Sequence, residues 1–300
     1  MMKSRQFLRN LTRCALLLNL TFLFLNLPGC NYEKDYSYLQ KDIPEVIRNV
    51  CKKEYKMDVT SKMIGETTWI YVPLEDIFAA ADKKKKPEKT IERFTIEDTK
   101  SEIADKTLKT DYLVKLVPEA EKAQSVVLSK DFYLKSQYIW QVMYRIIFSI
   151  KPQKSGGLQF FSVVFADIKN GFVIRNIYYY LDIKKAMYSL ISQTELQHRV
   201  IQDWQVAPEV IGDKSGITVN YINFTMNEFI SQQILNRIRI KFQKPEVERN
   251  ADIDKEIEKI IAYTVKVYDF KDFDNVELNN LLTNKKLILN RAAILAKPIE

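Results

Sequence analysis

Residues 158–181 read LQFFSVVFADIKNGFVIRNIYYYL, two runs rich in β-branched and aromatic residues, Leu158–Ile168 and Phe172–Leu181, joined at Lys169-Asn170-Gly171. Asn and Gly both tolerate positive φ, so the join has the chemistry of a tight hairpin turn. Each run is apolar at alternating and intervening positions alike: Phe160, Phe161, Val163, Val164 and Phe165 in the first, Val173, Ile174 and Ile177 in the second. Strands of that kind have no face to spare for water, so other elements must cover both sides of the hairpin.

Working outward, Phe132–Ile150 is apolar on nearly every helical face, which predicts a central core helix buried on most sides. Lys135, Gln137, Gln141 and Arg145 make it too polar for a membrane span. Lys151–Gly157 reads as a loop. On the far side, a helix is expected through Ile183, Met187, Leu190 and Ile191 and on, with or without a break, to Trp204. Pro208–Gly216 reads as a loop and Ile217–Phe224 as a strand. Thr225-x-x-Glu228 is a capping box that opens a helix through Phe229, Ile230, Ile234, Leu235 and Ile238. A helix around Asp254–Ile261, a strand around Tyr263–Phe270 and a terminal helical stretch to Ala296 complete the expectation.

Upstream, Asp42-Ile43-Pro44-Glu45 has the order of a helix start, with Ile43, Val46, Ile47, Val50 and Cys51 at helical spacing behind it. Two strand-like runs, Met57–Met63 and Thr67–Val72, follow, and Leu74–Ala81 fits a short helix. The order helix, hairpin, acidic step, helix thus occurs twice, and Tyr71–Ile77 resembles Tyr178–Ile183, which suggests a duplicated α-β-β unit. Residues 87–130, charged and sparse in apolar side chains after the Lys83–Lys86 run, read as a mostly helical connection. The class expected is α+β, helices alternating with antiparallel β-hairpins. An N-terminal lobe over 42–86 and a main lobe over 131–300 flank the connection.

The first 30 residues address the chain, and the tyrosines of the stretch to Lys41 suggest that it is partly packed. Lys3, Arg5, Arg9 and Arg13, with no acidic residue, precede an apolar segment from Cys14 to Leu27, the order of a secretory signal. The segment is short of the ~20 residues of a spanning helix, and Pro28 and Gly29 end it. Leu27-Pro28-Gly29-Cys30 resembles the lipobox of bacterial lipoproteins, with Pro28 departing from the residue usual at its place. The resemblance covers about the first 30 residues and implies cleavage between Gly29 and Cys30, acylation of Cys30, and a body held on a membrane outside the cytoplasm. Asn31 in place of an aspartate implies the periplasmic face of the outer membrane in a two-membrane cell. Residues 30–41 are then a tether that reaches about 40 Å at most, so the body sits close to the bilayer.

Removing the four basic side chains of residues 1–29 leaves 42 basic against 38 acidic groups, which is no nucleic-acid signature. With Cys14 in the signal and Cys30 acylated, Cys51 is the remaining thiol, so no intramolecular disulfide forms; its place on an apolar helix face makes it a small core residue. His198 is the one histidine, which rules out two-histidine metal motifs within one chain. No Gly-rich phosphate cradle, G-x-S-x-G or S-x-x-K occurs, and no cofactor or metal is expected. His198 with Asp203, and the pair Asp76 and Asp182, are the residues that invite catalysis; a helix-surface or capping histidine and two helix caps are the simpler readings. Arg237, Lys241 and Lys244 read as cations favourable to a helix C-terminus.

Three functions follow. The first is an exported, lipid-anchored envelope protein that binds or scaffolds another envelope protein without catalysis. The second is a carrier of a lipid-like or glycan ligand, motivated by Phe160, Phe161, Phe165, Phe172 and Tyr178–Tyr180. The third is a wall-directed hydrolase working with carboxylates alone.

Overall fold

A computed structural model describes residues 38–80, 89–123, 126–150, 157–244 and 246–297. The signal segment, the sequence around Cys30, the tether through Ser37 and the Lys83–Lys86 run lie outside the described residues. The chain runs through α1 (Ile43–Tyr55), β1 (Thr60–Ile64), β2 (Thr67–Leu74), β3 (Phe78–Ala80), β4 (Lys89–Ala104), β5 (Thr107–Ala123), β6 (Val126–Leu128) and α2 (Lys130–Ser149). It continues through β7 (Phe160–Asp167), β8 (Phe172–Tyr179), α3 (Tyr180–Met187), α4 (Gln193–Arg199), β9 (Ile201–Val206), α5 (Met226–Gln243), α6 (Ile253–Val267), β10 (Asn275–Asn280), β11 (Lys285–Asn290) and α7 (Arg291–Ala296). The fold is α+β.

The hairpin of residues 158–181 is the middle of a five-stranded sheet ordered β1-β2-β7-β8-β9. The β1–β2 hairpin joins it through a parallel β2/β7 pairing, Thr67 opposite Phe160 and Leu74 opposite Asp167. The described part of the expected N-terminal lobe, residues 42–80, thus shares one ladder with the main body through its hairpin. The physical reason is that β2 is buried at nearly every position, like β7, and only an interior place in a sheet covers such a strand.

Both faces of this sheet are covered. On one, Ile70, Val72, Phe161, Val163, Phe165 and Ile174 pack under α1, α2 and α3. On the other, Phe160 and Ile177 meet α5, while Trp69, Tyr71, Val164 and Val173 are roofed by residues 207–221. α2 is buried on one face only, with Tyr133, Leu134 and Phe148 exposed. The helix buried on most sides is α5, through Phe229, Ile230, Gln233, Ile234, Ile238 and Phe242, because it also supports a second sheet.

That second sheet, ordered β11-β10-β5-β4, replaces the helical connection expected over 87–130. Leu108, Thr110, Tyr112 and Val114 are buried at every second position of β5, a period-2 face that the surrounding charges obscure. The β4–β5 turn carries positive φ at Asp105 and Lys106, where Asp is followed by Lys in place of the Gly of a strong hairpin signal, and β4 has register shifts at Glu92/Phe94 and Glu97/Lys100.

Other expectations change for tertiary reasons. Of the helix expected over 74–81, the described residues 74–80 hold β3, paired with β6, where Ile77 N–H is fixed by the Asp167 carboxylate at 2.9 Å. Asp42 does not cap α1: it already has helical φ and ψ in a 3-10 turn, which turns its side chain away from the first N–H groups. Ile217–Phe224 forms no ladder; its polar groups bind side and main chains of β2 and the turn before it, as in Trp69 Nε1–H to Ile222 O at 2.8 Å and Phe224 N–H to Thr67 Oγ1 at 2.8 Å. Trp204 lies on β9 and not on a helix. Tyr263–Val267 continues α6, where Ile257, Ile261, Thr264 and Val265 make one buried face that outweighs β-propensity. The terminal stretch is the β10–β11 hairpin followed by α7.

Because Ile234 is fully buried between sheets and Leu134 is exposed, Ile234→Ala should cost about 3–4 kcal/mol in denaturant unfolding. Leu134→Ala should stay within about 0.5 kcal/mol.

Candidate functional site

Among the described residues the densest group of ionisable side chains joins α3, α4, α5 and α6. Arg199, at the C-terminus of α4, is buried; its Nη1 donates to Asp182 Oδ1 at 2.8 Å and its Nε to Glu195 Oε1 at 2.7 Å. Arg237 Nη2 and the Tyr263 hydroxyl reach the same Glu195 oxygen at 3.2 and 3.1 Å, and Tyr268 donates to Asp182 Oδ2 at 2.8 Å. Gln233 donates to the Arg199 carbonyl, and Arg237 stacks over the Tyr263 ring at 4.4 Å.

Electrostatically this group is closed. Burial works to raise the Glu195 carboxyl, but the Arg199 hydrogen bond and the Arg237 charge outweigh it and hold the pKa below the usual range. Burial alone would lower the Arg199 pKa; the Glu195 hydrogen bond and Asp182 charge raise it instead. Tyr268 is pushed upward by burial and by the Asp182 charge. Glu195, Arg199 and Tyr268 are thus each shifted away from neutrality, the opposite of what proton transfer near neutral pH needs. Asp182 lies inside the first turn of α3 as an ion-pair partner and not as a cap.

Asp76 is not a cap either. It precedes β3 and accepts from Lys169 Nζ at 3.1 Å and from Asn170 Nδ2 at 3.2 Å, at the β7–β8 turn. The eight residues of β8 separate that turn from Asp182, roughly 25 Å at strand rise, so the two aspartates form no pair. The turn itself is set by Asp167, fully buried, whose Oδ1 accepts the N–H groups of Lys169 and Asn170 at 3.2 and 2.8 Å.

His198 sits half-buried in the last turn of α4, its pKa lowered by burial and then by the Lys244 charge. Asp203 on β9 is engaged by Arg175 at 3.0 Å. The Cys51 thiol is inaccessible, and burial pushes its pKa up to about 12. Phe160, Phe161, Phe165 and Tyr178 fill the two cores, where helices cover them. Lys241 pairs with Glu256 at 2.6 Å. No group of three or more His, Cys, Asp or Glu side chains is placed to hold a metal ion among the described residues.

The open feature is a trough along α5. A cleft of about 200 Å³ is lined by Arg175, Gln202, Asp203, Gln232, Asn236 and Arg239 over a floor that includes Ile177, Ile201 and Phe224. It shares Arg239 with a cleft of about 450 Å³ against Thr90–Ile96 of β4. It shares Gln232 and Leu235 with a third, of about 270 Å³, against Thr99–Glu102. Arg175 spends Nη2 on Asp203, but its Nε is buried without a hydrogen-bond partner among the described residues. Arg239 is exposed and makes no ion pair among them. These residues come from β8, β9, β4 and α5, so no local motif in the sequence assembles them.

The chain matches no protein-family model, and no curated protein or solved structure is detectably similar to it.

Removing Arg199 leaves Asp182 buried with one hydrogen-bond donor, so Arg199→Met should destabilise by about 3–5 kcal/mol, and adding Asp182→Leu should recover most of the loss in urea unfolding. Since the folded pKa of Glu195 lies below its unfolded value near 4.3, its stabilisation is full above that value and fades as pH falls through the folded one. Stability measured from pH 6 to pH 2 should accordingly drop less steeply in Glu195→Gln than in wild type.

Proposed function

We propose that the protein is an exported, lipid-anchored envelope protein that binds another envelope component without converting it, and that the α5 trough grips an extended, carboxylate-bearing segment of that component. Export and anchoring rest on the basic, apolar and Leu27-Pro28-Gly29-Cys30 sequence of the first 30 residues. A protein held by lipid needs no spanning helix, and none of the described helices is long and apolar enough to be one.

The observation that carries the binding reading is a pair of guanidinium groups in one cleft, Arg175 with a buried unpartnered Nε and exposed Arg239, whose other polar walls are the amides of Gln202, Gln232 and Asn236 and the Asp203 carboxylate already held by Arg175. A guanidinium matches a carboxylate in shape and charge, and a buried donor left open loses the free energy that a partner's oxygen restores. The neighbouring clefts extend the trough along β4, which suits a chain segment better than a small compact molecule. Asp167, Asp182 and Glu258, the buried acids that a carboxylate-only hydrolase would draw on, are committed to a turn and to ion pairs.

A photo-reactive amino acid at exposed Gln232, activated in whole cells, should give one discrete conjugate with an acidic segment of an envelope protein. Arg239→Glu should reduce its yield by about tenfold, the effect of roughly 1.4 kcal/mol, and Cys30→Ala should abolish it by displacing the protein. The same conjugate from a probe at Leu282, or equal yield from Arg239→Glu, would remove the trough from the proposal.

A further inference from the structure

The described chain begins at Tyr38, whose N–H bonds Ser149 O at 3.1 Å and which bridges Ile150, at the C-terminal end of α2. Four large apolar side chains are exposed around this point. Leu39 follows Tyr38; Phe148 precedes Ser149; Tyr188 meets Phe148 edge-on with ring centroids 6.2 Å apart; and Leu190, 72% exposed, lies two residues beyond Tyr188.

The end of α3 fixes that arrangement. Ser189 has φ of 56°, its N–H bonds Ala186 O at 3.0 Å, and Leu190 N–H bonds Lys185 O at 2.8 Å, the two hydrogen bonds of a Schellman motif. In such motifs the residue at the position of Leu190 commonly folds back on an apolar side chain one turn earlier. Here the residues one turn earlier are Lys184 and Lys185, so Leu190 has no apolar mate in the motif and is held outward beside two cations. Lys41 adds a third on the tether side, and none of the three has a carboxylate partner among the described residues.

We propose that this face, Leu39, Phe148, Tyr188 and Leu190 with Lys41, Lys184 and Lys185, rests on the surface of the bilayer that holds the lipidated Cys30. The inference depends on the anchoring stated above. What selects the bilayer as the occupant is the length of chain outside the described residues: seven residues, 31–37, lie between Cys30 and Tyr38, so their Cα atoms are at most about 29 Å apart when fully extended. The patch surrounds the point where that short chain leaves the body, so it is the surface the tether brings nearest to the lipid.

The chemistry agrees. Tyrosine and phenylalanine rings suit the headgroup level, and lysines beside them snorkel towards anionic headgroups, each worth about 1 kcal/mol near such a surface. A face too weak to bind membrane alone suffices here, because the anchor already supplies an effective concentration on the order of millimolar.

The test uses the full-length acylated lipoprotein in phosphatidylethanolamine–phosphatidylglycerol vesicles. A nitrobenzoxadiazole label is placed on Leu190→Cys or, as a control, on Ile217→Cys; buried Cys51 does not compete for label. Ile217 is exposed on the segment that roofs the sheet face opposite α2. Headgroup-level nitroxide lipids should quench the label at 190 several-fold more than at 217, and Phe148→Glu with Tyr188→Glu should abolish the difference while acylation persists. Equal quenching at both sites on protein whose N-terminal cysteine carries the acyl mass overturns the docking face and leaves the anchor standing. An N-terminal peptide without acyl mass overturns both.

Discussion

One helix lies where two sheets need the same cover, and the rest of the arrangement follows from it. The five-stranded sheet is apolar on both faces, and α1, α2 and α3 close only one of them. On the other, Phe229 of α5 packs against Phe160 of β7 and Tyr179 of β8, with ring centroids at 5.3 Å in each case. Towards its C-terminus the same helix sets Phe242 against Phe94 of β4 at 5.4 Å. A helix asked to bury Ile234 and Ile238 between these contacts cannot keep a wide polar face, so what remains of its surface, Gln232, Asn236 and Arg239, becomes one wall of the trough.

The ion-pair group beside α5 solves a problem which that packing creates. α3, α4, α5 and α6 converge there with Arg199 and Asp182 almost wholly out of water, and isolated charges would lose several kcal/mol each in such a place. Two arginines, two carboxylates and two tyrosine hydroxyls compensate one another, which fixes the relative positions of the four helices without reserving a group for proton transfer. The same logic at smaller scale holds the β7–β8 turn through Asp167. Buried acids among the described residues hold structure, and the trough adds the buried, unpartnered Arg175 Nε and the exposed Arg239.

The two proposed surfaces lie on different sides of the five-stranded sheet. The tether leaves beside the C-terminal end of α2, on the face covered by α1, α2 and α3, and α5 covers the other. The point where the described chain begins, at Tyr38, and the trough therefore do not share a face of that sheet.

Several elements were legible in the sequence because their cause is local. Asn170-Gly171 between two apolar runs names a hairpin; Thr225 and Glu228 form the capping box, each side chain bonded to the other's backbone; Pro44 sits in the first turn of α1. Strands apolar at every position implied covers on both faces, and the cores supply them. The β4–β5 hairpin stayed hidden because its turn has Lys106, whose positive φ is imposed by the two strands, where a Gly would have marked it after Asp105, and because its bulges break the alternation. Residues 263–267 carry strand propensity yet form helix, since the buried face of α6 stabilises more than propensity costs. The trough was beyond sequence reading for a stronger reason: Arg175, Asp203 and Arg239 stand on three elements, and only the packing of α5 across β8 and β9 gives them a common cleft. Local chemistry set the turns, caps and buried strands; long-range packing alone decided which helix became central and which charges were left with donors to spare.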